Sequence, residues 1–178
     1  MKQPAFPRRR ITAIPLLTAA GAVIFVFEAM IPTPLPWAKL GLSNIAVLIA
    51  LCYWGFSEGL IVSWMRVIVG GLFTGSLFSP AFALGICGGL CAVAVMWLLA
   101  KYFHRQFSLV GISIAGASAH NTGQLGAAKI IFIQHSGIWN LLPIMLVTAV
   151  FTGALVGFTA FFVLKGLSYP SFKMNDNN

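Results

Sequence analysis

Six apolar stretches follow one another along this chain with only short breaks between them, and that succession fixes the solvent before anything else is read. A helix needs roughly 20 residues to cross about 30 Å of hydrocarbon at 1.5 Å per residue. The predicted helices cover 11–31, 41–54, 59–78, 81–101, 107–134 and 139–164, the second being the shortest. Their boundaries fall where proline, glycine or charge interrupts the apolar run, as at Ser79-Pro80 and around His135 and Gly137. Only 8% of the 178 residues are charged, against roughly a quarter in a soluble domain. So few charges cannot clothe a water-facing surface. The expectation is an all-α integral membrane protein, a bundle of six transmembrane helices. Residues 1–10 form a basic cytoplasmic N-terminus, 11–165 the membrane domain and 166–178 a polar cytoplasmic tail.

Orientation follows from the basic residues. With the N-terminus inside, Lys2, Arg8, Arg9, Arg10, Lys101, Arg105, Lys165 and Lys173 all fall on cytoplasmic segments, as the positive-inside bias requires. Trp37, Trp54, Trp97, Tyr102 and Trp139 fall near predicted helix ends, where amphipathic rings favour the headgroup layer. The first apolar stretch exceeds the 7–15 residues of a leader's core and contains Glu28, so it reads as a membrane helix and not as a signal peptide. The net charge of +8 sits at helix ends and isolated intramembrane points, without an exposed basic face. It suits anionic lipid headgroups, and no nucleic-acid partner is expected. Cys52, Cys87 and Cys91 lie inside predicted helices as small packing residues, and no metal-ligand spacing or cofactor motif accompanies them. Small residues recur at four-residue spacing, as in Gly85 with Gly89 and Gly153 with Gly157, which lets helix backbones approach closely.

The informative positions are polar side chains at membrane depth, each costing roughly 2.5 kcal/mol or more if left facing lipid. Arg66 lies about two turns inside the third predicted helix. Glu28 lies near the outer end of the first, Lys39 in the connection rich in proline, Asn44 at the start of the second and Lys129 in the outer part of the fifth. His120, Asn121 and Gln124 add polar groups to the fifth helix, with His120 and Gln124 on one face. A shared polar pocket open to the outside accounts for the set. Lys39, Arg66 and Lys129 stand against Glu28, so the pocket retains positive charge and an anionic ligand is expected, held chiefly by the forked donors of Arg66. Pairing of Glu28 with Arg66 or Lys129 to stitch helices together is the structural alternative. The segment 32–44 reads either as a lid over the pocket, with Lys39 reaching inward, or as an ordinary external loop.

Three strings carry a family resemblance: Lys39-Leu-Gly-Leu-Ser-Asn44, Arg66 followed by Gly70-Gly71-Leu-Phe-Thr-Gly75, and Ser118-Ala-His-Asn121. In that order they resemble the Gx transporter family, also labelled heptaprenyl diphosphate synthase component I. That family is similar to the substrate-binding S components of energy-coupling-factor transporters. The resemblance implies a six-helix subunit in the cytoplasmic membrane that captures a micronutrient or cofactor precursor. It also implies a separate coupling transmembrane subunit and ATPases, since the chain has no phosphate-binding loop ending in Lys-Ser or Lys-Thr. S components dock through an Ala-xxx-Ala pattern on the first helix, to which Thr18 and Ala22 are the nearest approximation. The enzyme label implies instead an accessory subunit of polyprenyl diphosphate synthesis. A catalyst of that reaction holds magnesium with clustered aspartates, and the single aspartate here, Asp176, leads to the expectation of a non-enzyme. A structural membrane partner, with charges that merely set helix register, is the third class.

Overall fold

A computed structural model describes residues 7–31 and 41–166. Lys39, most of the candidate lid and all of the expected tail beyond Gly166 lie outside the described residues, as does most of the basic N-terminus. Among the described residues there are six α-helices and no strand. They are α1 (Pro7–Met30), α2 (Asn44–Trp54), α3 (Phe56–Thr74), α4 (Pro80–Tyr102), α5 (Leu109–Ile131) and α6 (Leu142–Gly166). A 3₁₀ turn, Ser136–Leu141, leads into α6.

Local chemistry sets most of the boundaries. Ser79 caps α4 by accepting from the Phe82 amide at 3.2 Å, and Pro80 takes the first helical position, where no amide hydrogen is missed. Ser108 does the same for α5, accepting from Gly111 at 3.1 Å. Gly75 enters the left-handed region with φ 68° and ends α3 at Thr74, four residues short of the expected boundary. Between α2 and α3 stands one residue, Gly55, with φ 101° and ψ −158°, a conformation open in practice to glycine alone.

Four helical stretches are long and apolar enough to cross a membrane: Ile11–Met30, Phe56–Thr74, Pro80–Tyr102 and Ser136–Gly166. α5, with 23 residues, falls within their range of lengths but carries hydroxyl, amide and imidazole groups along its course. α2 differs from a full span, because its 11 residues rise only about 16 Å. It is instead the axis of the bundle. Ala46, Val47, Leu48, Ile49, Ala50, Leu51 and Cys52 are all buried, with α1, α3, α4 and α6 packed around them. A helix covered on every side needs no polar face, which is why its sequence has no amphipathic period.

The glycine seams give the direction of each helix. Gly21 faces Arg66 and Gly70 faces Phe25, so α1 and α3 run in parallel. Gly59 against Leu51 sets α2 antiparallel to α3, and Gly85 against Val67 with Gly89 against Ser63 sets α4 antiparallel to α3. Gly123 meets Cys91 across α4 and α5, and Gly153 and Gly157 meet Ile114 and Val110 across α5 and α6. The chain therefore alternates, and the start of α1 and the end of α6 share one end of the bundle. That end carries Lys101, its ammonium 4.7 Å from the Trp97 ring centre, with Phe56 edge-on to the same ring. Glu28, the start of α2 and the Gly75–Ser79 turn gather at the other end. Outward surfaces of α1 and α6 are apolar, with Val23, Phe27, Phe151, Phe158 and Phe162 exposed, as lipid as the solvent demands.

Candidate functional site

The start of α2 has no cap of its own. Ser43 occupies the cap position, but its side chain bonds no amide of the helix it precedes. The acceptor comes from α1: Glu28, 4% exposed, receives the Leu42 amide on Oε1 at 2.6 Å and the Ser43 hydroxyl on Oε2 at 3.0 Å. A carboxylate suits this place, since the first amides of a helix present partial positive charge.

Arg66, 3% exposed, lies ten residues into α3, and its stem passes over Gly21 of α1. A Cβ at Gly21 would stand 3.4 Å from the Arg66 Cβ and Cδ, so the glycine makes the path for the side chain. At the tip, Nη1 donates to Ser43 Oγ and Nη2 donates to Asn44 Oδ1 at 2.6 Å. The Nε hydrogen, also buried, has no acceptor among the described residues. The Ser43 hydroxyl thus stands between guanidinium and carboxylate, accepting from one and donating to the other. Among the described residues no direct ion pair joins Arg66 to Glu28.

Asn44 also borders a cavity between the start of α2 and helices α4, α5 and α6. Ser113 and Thr152 add hydroxyls to its wall, and glycines and alanines make up most of the rest. Its free space is about 20 Å³, enough for one water and far below the several hundred Å³ of a small-molecule pocket. A solute enters only if the wall moves. Met96 is the long, flexible member of that wall, laid over Gly116 of α5.

The eight expected site residues thus fall in different places. Glu28, Asn44 and Arg66 come together at the α1–α2–α3 junction. Asn121 donates to the Met145 carbonyl of α6 at 2.7 Å. His120 and Gln124 press on Gly88 of α4, where a Cβ would lie 2.7 Å from Gln124 Cγ. Lys129, near the end of α5, holds its ammonium 5.7 Å from the Trp139 ring centre. α4 packs between α3 and α5, separating Lys129 from Arg66. Lys39 lies outside the described residues, and among the described residues the junction carries one cation and one anion. Ser43, its central member, escapes a search for costly polar groups because a hydroxyl is cheap at membrane depth. Its place beside Asn44, within the first family string, is the signal that could have found it.

The family model described as heptaprenyl diphosphate synthase component I matches residues 17–163. The chain belongs to that family. The matched stretch contains every member of the Glu28, Ser43, Asn44 and Arg66 cluster and spans the bundle from α1 into α6. No curated protein and no solved structure matches the chain. Membership in the heptaprenyl diphosphate synthase component I family and the helical architecture together describe a multi-pass membrane protein linked by name to that synthase.

Proposed function

We propose that this chain is a substrate-binding subunit of the cytoplasmic membrane, which captures a small anionic micronutrient or cofactor precursor with Arg66 as the anion-holding group. Both chain ends face the cytoplasm in this reading, and a separate coupling subunit with ATPases supplies the energy. The observation that carries it is a buried guanidinium held by two neutral acceptors, with the Nε hydrogen unmatched. A guanidinium fork is built for a carboxylate or phosphate, and burial strengthens such a bond by removing competing water. The cavity beside Asn44 gives the rest of the solute a direction in which to extend, once Met96 yields. Catalysis is assigned to other chains.

Arg66→Gln tests the reading when protein abundance and uptake are measured together. Lost uptake at normal abundance supports the anion site, whereas lost abundance assigns Arg66 to holding the helices together. A second reading, favoured by the family description, is a membrane accessory that recruits the other component of a prenyl diphosphate synthase. Native mass spectrometry of gently purified protein separates the two: a co-purifying solute or ATPase-bearing module supports capture, and a soluble synthase subunit supports recruitment.

A further inference from the structure

The two arms of the Arg66 guanidinium are held differently. Nη1 donates to Ser43, which is buried and bonded in turn to Glu28, so this arm is tied through the hydroxyl to the end of α1. Nη2 donates to Asn44, which is half-buried and also forms part of the cavity wall. The Nε hydrogen points away from Cδ, to the side on which Nη2 lies, so Nε and Nη2 share one edge with parallel donors. Of that pair, Nη2 meets the Asn44 carboxamide oxygen, and Nε is buried without an acceptor among the described residues.

A carboxamide has the outline of a carboxylate with one acceptor replaced by a donor. Set against two parallel donors it satisfies only one, and an orphan remains. A carboxylate or phosphate brings two oxygens to the same edge and satisfies both. We propose that Asn44 is a stand-in for the anion: its carboxamide oxygen holds one donor of the Nε–Nη2 edge, and an arriving carboxylate or phosphate displaces it and bonds both. The proposal rests on the anion-site reading and names the edge used and the residue that gates it. Exchange at Asn44 leaves the contact from Nη1 through Ser43 to Glu28 whole, so the guanidinium keeps its aim while the ligand enters. Among the described residues Asn44 alone both bonds Arg66 and borders the cavity, so turning its side chain connects the edge with the space between α2, α4, α5 and α6. The helix start does not depend on that side chain, since the Asn44 amide donates to the Gly41 carbonyl at 2.9 Å and Ser43 holds the cap position. Chloride, with a single centre, cannot match two parallel donors and is selected against.

The test uses the purified full chain in detergent, with acetate and inorganic phosphate as separate probes and chloride as the ionic-strength control. Thermal stabilisation is titrated for the parent, Asn44→Ala, Asn44→Asp and Arg66→Gln. Removing the carboxamide is expected to lower the half-saturating acetate or phosphate concentration by about tenfold, the worth of one hydrogen bond to a charged group. Arg66→Gln should not respond. In protein with isotope-labelled arginine nitrogens, the Arg66 Nε–H resonance, assigned by its absence in Arg66→Gln, should move downfield with acetate and stay in place with chloride. Asn44→Asp supplies both acceptors from within, so its response should be lost and its Nε–H resonance should stand downfield without any probe. With Arg66 still required, an unchanged or weakened response in Asn44→Ala, a full response in Asn44→Asp, or stabilisation that leaves the Nε–H resonance in place each overturns the stand-in and leaves the anion site standing. No response in the parent or Asn44→Ala, or one that survives Arg66→Gln, removes the anion site and this proposal with it. Should Asn44→Ala fail to fold, Asn44→Ser withdraws the carboxamide while keeping a polar side chain, and an unaltered half-saturation there also overturns the proposal.

Discussion

Single side chains divide here into those that close a seam and those that meet at the proposed anion site, and magnitudes tell them apart. Asn121→Ala removes one interhelical hydrogen bond, and such bonds average about 0.6 kcal/mol in membrane bundles. Gly153→Ala drives a methyl to 2.6 Å from the Ile114 Cα, and overpacking of that kind costs about 1–3 kcal/mol. Thermal melting in detergent is therefore expected to fall further for Gly153→Ala than for Asn121→Ala, and the reverse order would mean that polar bonds dominate the α5–α6 seam. Arg66→Lys keeps the charge and loses the fork, so solute uptake is expected to fall sharply at near-normal abundance. Glu28 and Arg66 were legible in the sequence because a charge at membrane depth demands a reason. Their meeting through Ser43 was not, because it depends on where α1 delivers Glu28 relative to a helix start some fifteen residues later.

Whole elements were legible wherever an end is written in local chemistry, as at the Ser79-Pro80 cap or the glycine after Thr74. α2 was harder. Its apolar run looks like a span cut short, and only the arrangement of α1, α3, α4 and α6 around it explains why eleven residues suffice. Its junction with α3 gives a clean test of backbone conformation, since a Cβ at Gly55 meets nothing within 4 Å. Gly55→Ala is expected to cost about 1–3 kcal/mol through φ and ψ alone. Gly75→Ala, equally unhindered but in the ordinary left-handed region, should cost about 1–2 kcal/mol. Unfolding of the two variants under identical conditions checks the order.

On the scale of the molecule, alternation of the helices puts the Lys101 to Gln106 turn and the end of α6 at one pole, with the Gly75–Ser79 turn and His135 at the other. Arg105→Cys is expected to react with a membrane-impermeant thiol reagent only after cells are opened, and Ser136→Cys in intact cells. Equal labelling of both in intact cells would reverse or dissolve the proposed orientation. The same architecture bears on how the protein is made. A segment of eleven residues falls short of what a translocon releases sideways into lipid, whereas the nineteen residues of α3 meet its length requirement. The axis of the finished bundle is thus expected to enter the bilayer only with the hairpin partner synthesised just after it. A nascent chain halted after Trp54 should leave that axis outside the bilayer, and glycosylation mapping of stalled chains would reveal its position.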